Sequence, residues 1–356
     1  MTRLSRYLLR LFVSETTALF GVATFLLFLV QCLKLFDIVT VRGQSLWTLI
    51  GQALLGMPGL VLVFLYVCLG IGLGRALRGL QDRNELQIIH ASALLPSLLR
   101  SIAVYGVAGT LLTLGFAHVF EPLSVRASND WSASIAADLV SRSMIPRRFT
   151  KVTDGVSMII GSRDAEGRIT DFFADDDRGG LHRTYFADSA IITRDEQGFV
   201  LRMRSGGMQQ MTEDKRFSEI SFASYDLALD QLTGDTTPGN RLAQTPSLDL
   251  LGAPLDAAAQ RALVNRSNEA LRVVAMVLFV AALAAFPTGR RGGPRVPIEL
   301  AVMGAVIVER GVASYLPAPA PWGGVSGSLL LGTVGLVVLL ARLHPFAALW
   351  ARRRPA

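Results

Sequence analysis

The sequence predicts a membrane α-helical protein of six transmembrane helices with an all-β domain inserted between the third and the fourth. Three observations predict it. Six long apolar stretches lie three on each side of a polar middle of roughly 140 residues. Arginine clusters recur at alternate ends of those stretches. Within the polar middle, the long apolar runs give way to short β-prone ones separated by turn residues.

The apolar stretches run approximately Phe12–Leu35, Leu46–Gly74, Leu98–Phe120, Leu271–Pro287, Ile298–Leu316 and Ser326–Leu343. Each approaches or exceeds the ~20 residues that cross a hydrocarbon core of ~30 Å. Arg3, Arg6 and Arg10 precede the first, and Arg75, Arg78 and Arg83 fill the loop after the second. Arg290, Arg291 and Arg295 follow the fourth, and Arg352, Arg353 and Arg354 end the chain. Six spans put all four clusters on one side, which the positive-inside rule makes the cytoplasm. The opposite short loops hold only Lys34 and Arg42. Both termini are expected in the cytoplasm and the polar middle is expected to be exported. The first span has no small-residue cleavage site behind a short apolar core, so it reads as a retained helix.

In the exported segment, Trp131–Met144 has helical spacing and suits a juxtamembrane helix. From Lys151 the runs are Val156–Ile160, Ile169–Phe173, Thr184–Ala187, Ala190–Thr193, Phe199–Met203, Gly207–Met211 and Ile220–Phe222. Strands at spacings of about 10 residues indicate a β-sandwich, a jelly roll or an open barrel. Thr233–Pro254, rich in Gly, Pro, Thr and Asp, reads as a loop before an Asp256–Arg266 helix returns the chain to the membrane. The organisation is therefore residues 1–120 for three spans, 121–262 for the exported domain with flanking helices, and 263–356 for three more spans.

Composition excludes several chemistries. The formal net charge is +7, yet residues 121–262 carry 16 basic and 21 acidic side chains, so the positive excess lies in the membrane half. That suits anionic head groups and argues against nucleic acid. The only cysteines, Cys32 and Cys68, sit inside spans, so the exported domain has no disulfide to draw on. None of the three lysines, Lys34, Lys151 and Lys215, follows a glycine, which removes a P-loop. The four histidines, His90, His118, His182 and His344, are far apart and none opens an HExxH motif. No G-x-S-x-G elbow is present. The chain binds no cofactor by these signals and is not an enzyme.

The loop between spans two and three is the most informative cytoplasmic element. Asp82 can cap a short helix, with Glu85 three residues later as in a capping box, and Leu86, Ile89 and Ala93 then form one apolar stripe. Such a helix, near residues 82–93, either docks a permease on a cytosolic ATPase or merely tethers a loop at the interface.

Particular residues carry a family resemblance. Gln31-Cys-Leu-Lys34 is followed by Asp37-Ile-Val39 and Gly43-Gln44; Asp82-Arg-Asn-Glu-Leu86 is followed by Ala91-Ser92. Ala137-Asp-Leu-Val140 leads to Phe149, and Gly155, Asp164, Gly167, Asp175 and Thr184-Tyr-Phe-Ala187 extend the pattern. In these the chain resembles the lipopolysaccharide export permeases of the LptF/LptG type, most nearly the LptF branch. It departs where the family usually has Gly, at Ala93, and where an acidic residue is commoner, at Asn84. The resemblance implies a Gram-negative inner-membrane protein with a periplasmic β-jellyroll. It implies a heterodimer with an LptG-type permease, two copies of an LptB-type ATPase that bind the ATP and magnesium, and an LptC-type periplasmic bridge protein. The pair would take lipopolysaccharide from the membrane and pass it to that bridge.

The resemblance also gives roles. Asp82, Glu85, Leu86 and Ile89 are expected to couple to the ATPase, with Glu85 matching the family's coupling glutamate. Lys34 is expected to face the lipid cavity, with Asp37 and Arg42 beside it, although a lysine at that depth can also simply snorkel to the interface. Glu309 and Arg310 lie about two-thirds along span five, where a lipid-facing charge costs about 2.5–3.5 kcal/mol at the centre. They need separate partners, with Lys34 and Asp37 as candidates, and serve either ion pairing or lipid contact. In the β domain, Met158, Ile160, Phe172, Ile191, Leu201 and Met203 are expected to line an apolar groove, which acyl chains outside a bilayer need. Gly70-Ile-Gly-Leu-Gly74 and Gly323–Gly327 read as packing faces. Another exporter or cell-division permease fits less well, since four spans and a larger external domain are usual there. A membrane-anchored periplasmic sensor or assembly factor shares the topology, and co-purification with an ATPase separates it from a transporter.

Overall fold

A computed structural model describes residues 3–36, 45–143, 146–164, 167–178, 181–195, 198–212, 217–228, 239–252, 256–287, 297–316 and 322–351. The chain forms two compact units, Met1–Val125 with Leu242–Ala356, and Arg126–Arg241.

The first unit is helical. It contains α1 (Arg3–Lys34), α2 (Leu46–Leu55), α3 (Met57–Asp82), α4 (Glu85–Ala91) and α5 (Leu95–Gly115). A π turn, Phe116–Phe120, joins α5 to α6 (Glu121–Ser143), which crosses the boundary between units. After the second unit come α7 (Gly239–Gln244), α8 (Ser247–Leu251), α9 (Ala257–Ala284), α10 (Ile298–Tyr315) and α11 (Ser326–Ala351). Among the described residues, five helical segments are long and apolar enough to cross a membrane: Arg3–Lys34, Met57–Asp82, Leu95–Ser132, Ala257–Ala284 and Ser326–Leu343. The expected fifth span, α10, has 18 residues and carries Glu299, Glu309 and Arg310.

Several boundaries differ from the sequence reading, each for a local reason. The second apolar stretch is two helices, because Pro58 has no amide hydrogen to extend α2 and instead opens α3. Helix α3 runs on to Asp82, so Arg75 and Arg78 are helical rather than in a loop. The expected Asp256–Arg266 helix and span four are one helix, α9, started by Asp256, whose Oδ1 accepts from the Ala259 amide at 2.6 Å. Thr233–Pro254 is not all loop, since α7 and α8 lie within it.

Helix α3 carries the glycine run of the sequence as a three-sided packing surface. A Cβ at Gly70 would lie 2.5 Å from Met276 in α9, at Gly72 2.1 Å from Thr16 in α1, and at Gly74 2.3 Å from Ile298 in α10. Leu8 and Phe12 of α1, Leu65, Leu69, Leu73 and Leu77 of α3, and Val273, Met276 and Val280 of α9 share one core. Within it the Tyr105 hydroxyl donates to the Leu69 carbonyl at 3.0 Å and pairs with Thr16 Oγ1 at 2.6 Å.

The second unit is a seven-stranded antiparallel sheet: β1 (Thr150–Thr153), β2 (Val156–Ile159), β3 (Ser162–Arg163), β4 (Ile169–Arg178), β5 (Leu181–Asp195), β6 (Gly198–Thr212) and β7 (Phe217–Ala228). The order is β1-β2-β4-β5-β6-β7, with β3 also pairing β4. Thr184–Ala187 and Ala190–Thr193 are parts of one strand, β5, and Phe199–Met203 and Gly207–Met211 are parts of β6.

What divides each strand into two runs is a crease, not a turn. Pairing is interrupted between Thr170 and Phe172 on β4, Ala187 and Ser189 on β5, Arg204 and Gly206 on β6, and Ser224 and Phe222 on β7. The register is the same on both sides. Asp171 and Ser205, on this line, have φ of 50° and 51°. A left-handed residue inside a strand turns the following side chains to the other alternation. The buried face accordingly uses Ile169 and then Phe172 and Ala174 on β4, and Tyr185 and Ala187 and then Ala190 on β5. Gly206 is required at the crease, because a Cβ there would sit 2.1 Å from the Phe186 carbonyl oxygen.

Candidate functional site

Three features of the helical unit and one face of the sheet hold the candidate residues. The first is an ion cluster between α9 and α10. Glu309 is 1% exposed, and its Oε1 accepts from Arg272 Nε at 2.9 Å. Arg272 also binds Glu269 one turn earlier on α9. Arg310 Nε lies 3.7 Å from Glu309 Oε2, and its guanidinium is beside the Tyr66 hydroxyl of α3. Among the described residues the partner of Glu309 is not Lys34 but Arg272. Its counter-charge comes from α9, and the neighbouring Arg310 closes on the same carboxylate instead of seeking a separate one. Arg272 was missed because an arginine at the head of an apolar run reads as an interfacial charge. Its place about four turns inside a helix that begins at Ala257 was the signal. Glu309 is thus enclosed by protein, whereas Arg310 stays substantially exposed.

A second polar network lies around Arg266 on α9. Its guanidinium donates to the Leu242, Ala243 and Thr245 carbonyls, at 2.9, 3.3 and 2.9 Å, and to Ser247 Oγ at 2.9 Å. These include carbonyls at the C-terminal end of α7, where unpaired acceptors favour a cation. His118 Nδ1 pairs with Ser247 Oγ at 2.8 Å and Nε2 with Ser267 Oγ at 3.4 Å, which makes it a packed histidine. Residues 242–252 therefore belong with the helical unit, not with the sheet unit.

The third feature is α4. Asp82 does not cap it: Asp82 ends α3, and the capping position is Asn84, with φ 59° and no side-chain capping bond. Asn tolerates that conformation better than most residues. Leu86 and Ile89 are buried in the core of the helical unit, so they fasten α4 rather than face outward. Ala93, expected in the same stripe, lies past the helix end with φ 58°. Gln87, Ile88 and Ala91 are exposed, Ile88 by 62%, and Glu85 is half-buried at the start of the helix. Tyr7 of α1 donates its hydroxyl to Glu85 Oε2 at 3.1 Å. At the other end, His90 Nε2 lies 2.9 Å from the carbonyl oxygen of Ala285, the residue that caps α9.

On the sheet, Met158, Ile160, Phe172, Leu201 and Met203 are all in the buried core cluster with no more than 1% exposure. Ile191 is not. The crease hands its place to Ala190, with Ile192 packed against the same cluster. The apolar face is closed as it stands. On the sheet's polar side Arg202 forms a bidentate pair with Asp226 on β7 and holds that carboxyl below its ordinary range. Asp176 hydrogen-bonds Arg178 and raises its guanidinium above the ordinary value.

Lys34 is the exposed last residue of α1. Asp37 and Arg42 lie outside the described residues. Around Lys34 the outer half of α1 presents Phe25, Leu26, Leu29, Val30 and Leu33 to its surroundings, whereas its buried residues end at Thr16.

The family model described as lipopolysaccharide export system permease LptF/LptG matches residues 6–341. No curated protein matches the chain.

Proposed function

The chain belongs to the LptF/LptG family of lipopolysaccharide export permeases, a multi-pass inner-membrane family, and from that premise we propose that it works as one permease half of an ATP-driven lipopolysaccharide extractor. In this reading an LptG-type permease is the other half, and two LptB-type ATPases bind the ATP and magnesium. An LptC-type bridge receives the lipid. Helix α10 is the fifth of six spans: its 18 residues rise about 27 Å, and its buried charge is neutralised by Arg272. The creased sheet, rolled over its apolar face, is the family's jelly roll. The branch is that of LptF, both termini are cytoplasmic, and the sheet domain is periplasmic.

The observation that carries the coupling part is α4. A seven-residue helix fastened by Leu86 and Ile89 and offering Glu85, Gln87 and Ile88 is a docking surface on a rigid base. Arg310 and Lys34 are the charges open to a lipid phosphate, Asp37 and Arg42, which follow Lys34 in the sequence, are further contacts, and Glu309 supports Arg310 from within. Outside the bilayer the acyl chains travel along the face that holds Met158, Phe172, Leu201 and Met203, which must part to admit them.

The test is Glu85→Arg in the full complex, with ATPase co-purification and lipid release from vesicles as readouts. Loss of ATPase binding by a folded permease is expected. Full association together with native lipid release refutes the docking role.

A further inference from the structure

We infer that His90 is a positioning residue that ties the docking helix α4 to the end of α9 and, through Phe286, to α11. The inference rests on the reading of α4 as the ATPase-docking element. A carbonyl can only accept, so the His90 contact with Ala285 O is an Nε2–H donor bond, 2.9 Å long. The last carbonyls of a helix have no partner within it. Ala285 caps α9, and Pro287, two residues on, has no amide hydrogen to turn back on that end. The imidazole of α4 therefore takes a place that local backbone would otherwise fill.

The ring does more than donate. Its centroid is 5.6 Å from that of Phe286, the residue after the capped carbonyl. The Arg342 guanidinium of α11 lies 5.8 Å from the centroid of the same phenyl ring. His90, Phe286 and Arg342 thus join α4, the end of α9 and α11 in one contact chain. At its opposite end α4 is held to α1 by Tyr7 and Glu85. A force on Glu85 or Ile88 reaches α1 through the tyrosine and α9 and α11 through the histidine. Leu86 and Ile89 anchor the helix but give no directional bond to a helix end, which a hydrogen bond supplies.

The experiment uses the reconstituted complex with ATPase and lipopolysaccharide-loaded vesicles, and reads ATPase association, basal hydrolysis and lipid released per ATP hydrolysed. His90→Ala is expected to keep association and basal hydrolysis while lipid released per ATP falls about five-fold, the size of one lost hydrogen bond. His90→Gln, whose amide can donate from the Nε2 position, is expected to restore most of that loss. A His90→Ala complex that extracts lipid as efficiently as the native one, or a His90→Gln no better than His90→Ala, overturns the inference. Should His90→Ala fail to assemble, Arg342→Gln carries the test, since it leaves the hydrogen bond and removes only the cation. An approximately two-fold loss per ATP is then expected, and no loss overturns the inference. Glu85→Arg run in parallel separates the failures. If it leaves ATPase association intact, the docking reading itself falls; if it abolishes association while His90→Ala couples normally, only the role of His90 falls.

Discussion

Arg272 is the most consequential single charge in the helical unit, and a double-mutant cycle with Glu309 measures why. Arg272→Met would leave Glu309, 1% exposed, with only the guanidinium of Arg310 at 3.7 Å, and would also release Glu269. Breaking a buried pair from one side costs about 3–5 kcal/mol, and removing the partner shared by two carboxylates belongs at the upper end. Glu309→Leu belongs at the lower end, about 3 kcal/mol, because Arg272 keeps Glu269. With both replaced, no buried charge faces another empty site except the partly exposed Glu269, and the cost falls to about 1–3 kcal/mol. The double variant is therefore expected to be more stable than Arg272→Met alone. Thermal midpoints of the detergent-solubilised chain, compared at one scan rate, give the order. Losses that simply add, or a Glu309→Leu more damaging than Arg272→Met, would refute the account of this cluster.

Other substitutions test separate parts of the fold. Gly72→Ala puts a Cβ 2.1 Å from Thr16 Oγ1 and 2.7 Å from its Cα, so it should lower the thermal midpoint by the about 1–3 kcal/mol of an overpacked core; Gly79→Ala, with nothing within 4 Å, should be neutral or stabilising. Ala93→Gly should stabilise the chain by about 0.5–1 kcal/mol and raise its thermal midpoint accordingly, because φ 58° strains any residue with a Cβ. Photocrosslinkers at Phe172, Leu201 and Ile192 should capture lipopolysaccharide during ATP hydrolysis while Ile191 does not, and capture at Ile191 but not Ile192 would place the groove on the opposite face. The depressed Asp226 carboxyl contributes stability present above its unfolded pKa of about 3.9 and lost as pH falls through its lower folded value. Asp226→Asn should accordingly reduce the acid sensitivity of the sheet, followed by circular dichroism below about pH 4, by no more than a surface pair allows.

The apolar runs announced the helical unit because lipid admits only long apolar helices, and that constraint is written residue by residue. The interior pairing was not so written. Glu309 and Arg310 were visible as charges out of place, but Arg272 stands where the sequence rises from polar to apolar, and only three-dimensional packing shows it facing inward. The sheet shows a different loss. Asp188-Ser189 and Arg204–Gly206 do interrupt their β-prone runs, so the signal was real, but an interruption reads equally as a turn or as a crease. Once it is a crease, alternation changes phase, which is why Leu201 and Met203 lie on the buried face while Ile191 does not, a parity that the β-prone runs alone left open. At Ala93 the departure from the family's glycine had a physical meaning that emerged only with its φ.

Helix α9 has the most varied partners in the helical unit. Arg266 holds the end of α7, and Asn268 binds the Gly324 carbonyl and accepts from Ser328 of α11. Arg272 neutralises α10, Met276 fills the space over Gly70 of α3, and Val277 meets Gly106 of α5. Ala285 takes the imidazole of α4. A helix fixed at so many levels cannot shift by itself without breaking bonds to every neighbour, since packed interiors change between discrete arrangements and do not deform continuously. Helix α1 is the contrast. Leu8, Phe12 and Thr16 hold its first half, while Phe25, Leu26, Leu29, Val30 and Leu33 are exposed among the described residues. Any separation of α1 from its neighbours therefore costs least along the half beyond Thr16. The Tyr7 bond to Glu85 near its start is where a pull on α4 would be felt first.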